Sequence, residues 1–139
     1  MHFEIVTPTG RLLSTEVDEL TAPGTLGEFG VLPGHIPFIG GIEPGVVRWR
    51  RGGETGTLAV GNGLLEVAPG DRVVLLTQRG AAPDKIDAAT ARAELVEAQK
   101  QLDHWEGGEE SERAELERTR AWAQAQLDAL GASPTAAAH

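Results

Sequence analysis

The chain has 139 residues, with 21 acidic and 12 basic side chains and no cysteine. Its net charge of −9 opposes a phosphate backbone, so a nucleic-acid-binding protein is not expected. The absence of cysteine excludes disulfides, thiol nucleophiles and cysteine-ligated metal sites. No apolar run approaches the roughly 20 residues that cross a bilayer, and the first residues lack the pattern of a secretory signal. We therefore expect a soluble protein without a leader.

The composition changes at Pro83. Residues 1–83 contain 22 of the 26 glycine and proline residues and have a net charge of −3, whereas residues 84–130 have a net charge of −6. Glycine and proline separate short strands and are unfavourable inside helices. We therefore predict a β domain in residues 1–83, a helical hairpin in residues 84–131 and a flexible tail in residues 132–139.

The first part of the chain alternates short apolar or β-branched runs with turn residues. This spacing predicts a sandwich or barrel of short antiparallel strands. The pairs Gly52-Gly53 and Asn62-Gly63 are typical of tight hairpin turns. The predicted strands are residues 3–7, 11–22, 46–50, 57–60, 64–67 and 72–77.

A glycine-rich segment, residues 24–30 (GTLGEFG), is the first candidate site. It lacks the lysine and the following helix of a phosphate-binding loop, so it is interpreted as a turn-rich recognition loop. The four histidines, of which His35 in a Gly/Pro-rich loop is the most interesting, have no metal-ligand spacing, and the three serines lie in no nucleophile motif. The sequence therefore contains no recognisable active site.

After Pro83 the pattern is helical. Asp84 is the predicted N-cap of a first helix that runs to about Trp105, and Gly107-Gly108 breaks it. A second helix is predicted from about Glu109 to the end of the 84–131 segment, and the short break predicts an antiparallel hairpin.

The apolar stripe of this hairpin is thin. Small side chains bury little area, so we expect a hairpin that is weakly held in one conformation. Trp105 and Trp122, one on each helix, either pack across the hairpin or mark a surface that docks a partner, and packing is the favoured interpretation. The predicted stripe consists of Ile86, Ala89, Ala93 and Leu102 in the first helix and Leu116, Ala123, Leu127 and Leu130 in the second.

Four segments together resemble the epsilon subunit of F-type ATP synthases. They are residues 17–24 (VDELTAPG), 27–37 (GEFGVLPGHIP), 44–48 (PGVVR) and 60–67 (VGNGLLEV), and the resemblance extends from residue 1 to about 130. The order of a β domain followed by a helical hairpin is also that of the family. Residues 27–35 are the most specific part, whereas the alanine-rich helices alone are weak evidence of kinship.

The resemblance implies a non-catalytic rotor subunit without a cofactor. In the family this subunit clamps gamma to the membrane-embedded ring of c subunits and so couples proton-driven rotation to ATP synthesis. It implies a peripheral protein on the cytoplasmic face of a bacterial plasma membrane. The family's contact loop corresponds to residues 26–33. Its candidate contact residues, together with the neighbouring histidine, are Glu28, Phe29, Val31, Leu32 and His35.

The resemblance also implies a regulatory hairpin, which in the family lies against the sandwich or extends along gamma into the alpha/beta catalytic head and inhibits hydrolysis. Some members bind ATP through arginines of this hairpin. Here Thr90, Glu97 and Gln124 stand where arginines are expected. Because phosphates need those charges, we predict no useful ATP binding. Few basic residues remain on the second helix, so weak electrostatic latching to the head is expected.

A second hypothesis comes from a different class of protein. A soluble β domain that binds a small molecule and dimerises through a coiled-coil arm would have the same composition. It predicts a homodimer that binds a ligand in isolation, whereas the rotor hypothesis predicts a monomer that co-purifies with membranes and gamma. A metal or acyl-transfer enzyme has no supporting group of residues.

Overall fold

The computed structural model describes residues 1–131. It consists of a strand-rich part followed by two helices, as the composition predicts, and the predicted tail at 132–139 lies outside the described residues. The strands are β1 His2–Thr7, β2 Gly10–Glu16, β3 Glu19–Gly24, β4 Gly27–Val31, β5 Phe38–Ile42, β6 Gly45–Arg51, β7 Glu54–Val60, β8 Gly63–Ala68, β9 Arg72–Thr77 and β10 Gly80–Ala81. The helices are a short 3-10 turn at Pro83–Lys85, α1 Ala88–Asp103 and α2 Glu110–Gly131.

Hydrogen bonds join the strands in the order β10-β7-β6-β3-β5-β8-β9-β1-β2, with β4 paired to β3. The sheet folds over between β3 and β5, where the register consists of the pair Gly24 and Ile42. The two halves then face each other, since the ring of Phe3 in β1 meets that of Trp49 in β6 at 6.0 Å. This arrangement confirms the predicted β-sandwich, with one parallel pair, β1 with β9, among the antiparallel ones.

The sandwich encloses one large apolar core. Alternate residues of β1, β8 and β9 point inward, which gives each of these strands a period of two in its burial. Bulky aliphatic and aromatic side chains fill the space between the halves with no exposed area. The largest of them are Phe3, Ile5, Leu20, Leu65 and Leu75.

Two predictions about the strands are wrong. The segment predicted as one strand, 11–22, is two strands, because the chain leaves β1 at Glu16 and joins β6 from Glu19 onward. Asn62-Gly63 is not a hairpin turn, because it connects β7 in one half to β8 in the other. Gly63 permits this crossing, since a Cβ there would lie 1.9 Å from the carbonyl oxygen of Leu76. Gly52-Gly53 does turn the β6–β7 hairpin, with φ of +61° at Gly52.

The first helix begins later than predicted. Asp87, not Asp84, is its N-cap, and its side chain accepts a hydrogen bond from the Thr90 N–H. Ile86 is extended, with ψ of 127°, and separates the 3-10 turn from α1. Within residues 1–131, no helix is long and apolar enough to span a membrane.

The hairpin lies against the sandwich through α2. Ala125 and Ala129 pack on Val46 of β6 and Ala59 of β7, and Trp122 lies at the edge of this small cluster. We call this contact the hairpin interface. It covers the outer face of β6 and β7, opposite the main core, so the helices are attached to the sandwich from outside.

The predicted helix stripe is partly wrong. Ala89 and Ala93 are exposed, and Ala91 and Ala98 are the buried residues of α1. Ala123 is buried as predicted, and Ile86, Leu102, Leu116, Leu127 and Leu130 are half-buried.

The expected contact between Trp105 and Trp122 is also wrong. Trp105 lies at the turn beside Gly108, whereas Trp122 lies about 18 Å along α2 from the start of that helix. Trp122 packs on the sandwich instead of on the other tryptophan.

Candidate functional site

The predicted recognition loop is a β-hairpin. β3 and β4 pair from Leu20 with Val31 to Gly24 with Gly27, which leaves a two-residue turn of Thr25 and Leu26. Gly27 has a φ of +121°, a conformation that glycine adopts without strain. The turn places the Leu26 side chain fully in solvent.

Strand alternation separates the candidate residues on β4. The side chain of Val31 is 0% exposed in the core, so it offers no surface to a partner. Glu28 is exposed and its carboxylate accepts a hydrogen bond from Arg48 of β6 at 3.2 Å. The candidate contact residue Glu28 is therefore part of an ion pair, and it lies beside the C-terminal end of α2, where Asp128 lines the same groove.

An aromatic cluster gathers two of the other candidates. The rings of Phe29 and His35 lie 5.5 Å and 6.0 Å from that of Phe38, both edge to face. Phe38 was not predicted from the sequence, because its neighbours Pro37, Gly40 and Gly41 indicate a loop rather than strand β5. The consecutive apolar residues Phe38 and Ile39 between Pro37 and the glycine pair are the one signal of a short strand there.

The loop between β4 and β5, residues 32–37, carries exposed apolar side chains. Leu32 is 58% exposed and Ile36 is 74% exposed. A turn holds the loop, with the His35 N–H donating to the Leu32 carbonyl at 3.0 Å. We call Leu32, His35, Ile36 and the neighbouring Phe38 the loop surface. Leu26 lies at the opposite end of β4, about 17 Å along the strand from this loop.

A second apolar surface lies on the outer face of the other half of the sandwich. Leu64 and Leu76, 53% and 51% exposed, face each other across β8 and β9, and Val6 of β1 extends the row. Together with Ile39 on β5 we call these residues the leucine face. Single exposed leucines are ordinary, but an adjoining row of apolar side chains is typical of an interface.

The sequence contained a signal for the leucine face. Leu64-Leu65 and Leu75-Leu76 are consecutive leucines in strands, and successive residues of a strand point to opposite faces. One leucine of each pair therefore fills the core and the other faces outward.

The positions that bear on ATP binding carry hydrogen bonds within their own helices. The side chain of Glu97 accepts from Gln101, and that of Gln124 donates to Asp128. The backbone N–H of Thr90 lowers the pKa of the Asp87 carboxyl by hydrogen bonding to its charged form. Residues 1–131 hold no group of three histidine or acidic side chains placed to bind a metal.

The chain is similar to known proteins along most of its length. Residues 1–82 match the family described as ATP synthase, delta/epsilon chain, beta-sandwich domain. ATP synthase epsilon chain 2 of Syntrophotalea carbinolica is 45% identical over 102 residues, which is 73% of each chain. The ATP synthase epsilon chain of Anaeromyxobacter sp. strain K is 41% identical over 120 residues, which is 86% of this chain and 90% of the relative.

Solved structures share the fold. A chain of the Euglena gracilis mitochondrial ATP synthase superposes with a TM-score of 0.76 at 22% identity, covering 91% of this chain and 78% of that one. A chain of the Tetrahymena thermophila enzyme, from its central stalk and c-ring, gives 0.61 at 12% identity and covers 94% and 96%. Because the identities are low, these two matches speak for the fold, and the family follows from the sequence matches. The chain belongs to the ATP synthase delta/epsilon family.

Proposed function

We propose that this chain is the central-stalk rotor subunit of an F-type ATP synthase, and that it joins gamma to the membrane-embedded c-ring without catalysing a reaction itself. The observation that carries the proposal is a rigid sandwich of this family that, within residues 1–131, leaves two apolar surfaces exposed. A rotor subunit transmits torque through its contacts, so it needs a stiff body and interfaces on more than one side. The closely packed core provides the stiffness.

The leucine face is the proposed contact with gamma. Its row of Leu64, Leu76 and Val6 lies on paired central strands, whose backbone cannot shift independently. Permanent interfaces are more apolar at their centre than the rest of a protein surface. Glu4 and Glu66 lie one register step away and would form a polar margin around the apolar row.

The loop surface is the proposed contact with the c-ring. Leu32 and Ile36 project into solvent from a loop that carries two prolines, and the aromatic cluster supports its base. Loops held on a rigid frame are common binding elements. Val31 does not belong to this surface because its side chain is buried. Phe29 supports the surface through its ring contact with Phe38. Glu28 contributes through its pair with Arg48 rather than as a free carboxylate.

The hairpin is the proposed regulatory part. In the described conformation α2 packs on β6 and β7, so the α2 residues buried there cannot at the same time contact the catalytic head. We expect no ATP binding, because Thr90, Glu97 and Gln124 supply no positive charge for phosphates. Isothermal titration of the full chain with ATP should show no sub-millimolar affinity, and such an affinity would contradict this expectation.

The proposed location is the cytoplasmic face of a bacterial plasma membrane, with attachment through the other subunits. The chain should sediment with membranes together with gamma. The hypothesis of a ligand-binding domain with a dimerisation arm is not favoured, because α2 uses its buried alanines on its own sandwich. A dimerisation arm would need that face for a second copy.

The gamma contact can be tested with charge substitutions on the leucine face. A Leu64→Glu/Leu76→Glu double variant should weaken binding to a gamma-containing complex lacking this subunit by at least about tenfold, because the charges would be desolvated at the interface. Val96→Glu is the control, since Val96 is also an exposed apolar residue, at 67%, but lies on α1. Equal binding by the double variant and the control would overturn the proposed gamma contact.

A further inference from the structure

The loop of residues 32–37, which carries most of the loop surface, makes few hydrogen bonds to the rest of the protein. Among the residues that the structure describes, one hydrogen bond connects residues 32–37 to a segment outside the loop: the Gly34 N–H donates to the Asp71 carboxylate at 2.8 Å. The other bonds of the loop are internal, from the His35 N–H to Leu32 and from the His35 ring to Ile36. Apart from the edge-to-face contact of the His35 ring with Phe38, the loop is therefore fixed to the sandwich by a residue 37 positions away in the sequence.

Asp71 has an unusual backbone. Its φ of 55° is the one positive value at a non-glycine residue in the described part of the chain. Its carbonyl oxygen accepts a hydrogen bond from the His2 N–H at 2.9 Å, at the start of β1. The left-handed turn therefore fixes the backbone of Asp71 to the sandwich, and the carboxylate of the same residue reaches the loop.

A left-handed conformation is disfavoured for residues with a Cβ and is free of strain for glycine. A glycine here would satisfy the turn between β8 and β9 but would offer no acceptor to Gly34. Aspartate and asparagine are the side chains that tolerate this conformation and also carry a short acceptor. Aspartate at position 71 therefore meets both requirements, since it adopts the positive φ of the turn and accepts the hydrogen bond of the Gly34 N–H.

We propose that Asp71 is the positioning residue of the loop surface, holding residues 32–37 in the orientation in which they meet their partner. This inference rests on the proposed function for its final step, the partner, but not for the bond itself. Without the tie the loop keeps its internal turn and swings relative to the sandwich. Without the bond, the partner would have to order the loop on binding, and the entropy cost of this ordering would lower the affinity. In the native chain the loop is already ordered before binding.

Three variants separate the acceptor from the backbone strain. Asp71→Asn keeps both the acceptor and the tolerance of a positive φ, so it should behave as the native chain. Asp71→Gly removes the acceptor and relieves the strain, so it should keep the sandwich stable and free the loop. Asp71→Ala removes the acceptor and retains the strain, and it is the variant most exposed to misfolding.

The first measurement is amide hydrogen exchange of Gly34 by NMR in the isolated full-length chain. We expect Asp71→Gly to raise the exchange rate of this amide about tenfold with an unchanged or higher melting temperature, and Asp71→Asn to stay within about twofold of native. Unchanged exchange at Gly34 in Asp71→Gly would overturn the positioning role. A merely structural role would lower the melting temperature instead of acting at this amide.

The second measurement is affinity for an ATP synthase assembly that contains the c-ring and lacks this subunit. Weaker binding by Asp71→Gly and native binding by Asp71→Asn support the complete inference. Faster exchange at Gly34 with unaltered affinity would keep Asp71 as the anchor of the loop and overturn the loop surface as the ring contact. Failure of the inference and failure of the proposed function are thereby distinguished.

Discussion

The sandwich and the helical hairpin bury different kinds of side chain. The sandwich core contains Phe3, Ile5, Leu65 and Leu75 with no exposed area, whereas the hairpin interface consists mainly of alanines with Val46 and Trp122. Burial of a leucine or phenylalanine contributes about 1.5–3 kcal/mol, and a methyl group contributes much less. The sandwich is therefore closely packed, whereas the hairpin is attached to it through a smaller apolar contact.

The charge distribution divides in the same way. Residues 84–130 carry two-thirds of the net negative charge, and basic side chains of α2 pair with acids of the same helix, Arg113 with Glu117 and Arg118 with Glu115. Such exposed pairs contribute little to stability. The hairpin is thus held on the sandwich by a small apolar contact rather than by charge.

The largest expected effect is a cavity in the sandwich core. Leu75→Ala should lower the free energy of unfolding by about 2–5 kcal/mol, because it removes a fully buried side chain. Leu76→Ala on the same strand is the control, since its side chain is half exposed and should cost less than about 1 kcal/mol. Urea denaturation compares the two, and equal losses would mean that β9 is not packed as described.

The next effect is loss of the anchor of the hairpin. Trp122 packs at the hairpin interface, and the guanidinium of Arg79 lies 5.1 Å from the centre of its ring. Trp122→Ala should weaken docking by about 1–3 kcal/mol, since both the apolar contact and the cation–π attraction are lost. Hydrogen exchange should accelerate in α1 and α2 and stay native in β1, β8 and β9. Trp105→Ala, at the turn, should leave this pattern native, and a uniform acceleration in Trp122→Ala would contradict independent docking.

A smaller effect concerns two buried threonines. Thr57 is 6% exposed, and its Oγ1 has no hydrogen-bond partner within residues 1–131. It lies on the face of β7 that carries Ala59 of the hairpin interface. Thr57→Val should therefore be neutral or stabilise the chain by about 1 kcal/mol. Thr77→Val is the control, because the Thr77 hydroxyl donates within the sandwich, 3.0 Å from the Gly61 carbonyl oxygen, and its loss should destabilise. Thermal unfolding of both variants checks the contrast, and a clear loss in Thr57→Val would show that its hydroxyl has a partner.

The smallest effect is the pH dependence of the start of α1. The Thr90 N–H lowers the pKa of the Asp87 carboxyl below 3.8, its ordinary value. Because the pKa of Asp87 is lower in the folded state, its ionised carboxylate stabilises α1 at pH values above the unfolded pKa. This stabilisation is lost as the pH falls through the folded pKa. Helicity by circular dichroism should therefore decline at acid pH, and Asp87→Asn, which caps without a charge, should reduce the slope. An identical slope in both chains would assign the loss to other carboxylates.

Much of the fold was predictable from local patterns. β8 and β9 are short apolar runs bounded by turn residues, and β1 alternates apolar and polar residues over much of its length. The concentration of glycine and proline before residue 83 predicted where strands give way to helices. β4 and β5 were missed because glycines occupy much of each strand, and their partners β3 and β8 supply the pairing that the sequence does not show.

The candidate site was less predictable, for physical reasons. In alanine-rich helices every face has similar hydropathy, so the pattern could not decide between Ala89 and Ala91. The packing of α1 against α2 decides which alanines are buried. The Glu28–Arg48 pair and the Gly34–Asp71 bond join residues 20 and 37 positions apart, which only the folded sheet brings together.

We propose that the sandwich performs the rotor function and that the hairpin is a separable, weakly acting part. Deletion of residues 84–139 in the assembled ATP synthase tests it most directly, with ATP hydrolysis and ATP-driven proton pumping measured together. We predict that pumping remains coupled and that hydrolysis rises less than about tenfold, a change below about 1.4 kcal/mol. Loss of coupling, or a rise of about tenfold or more, would contradict the account.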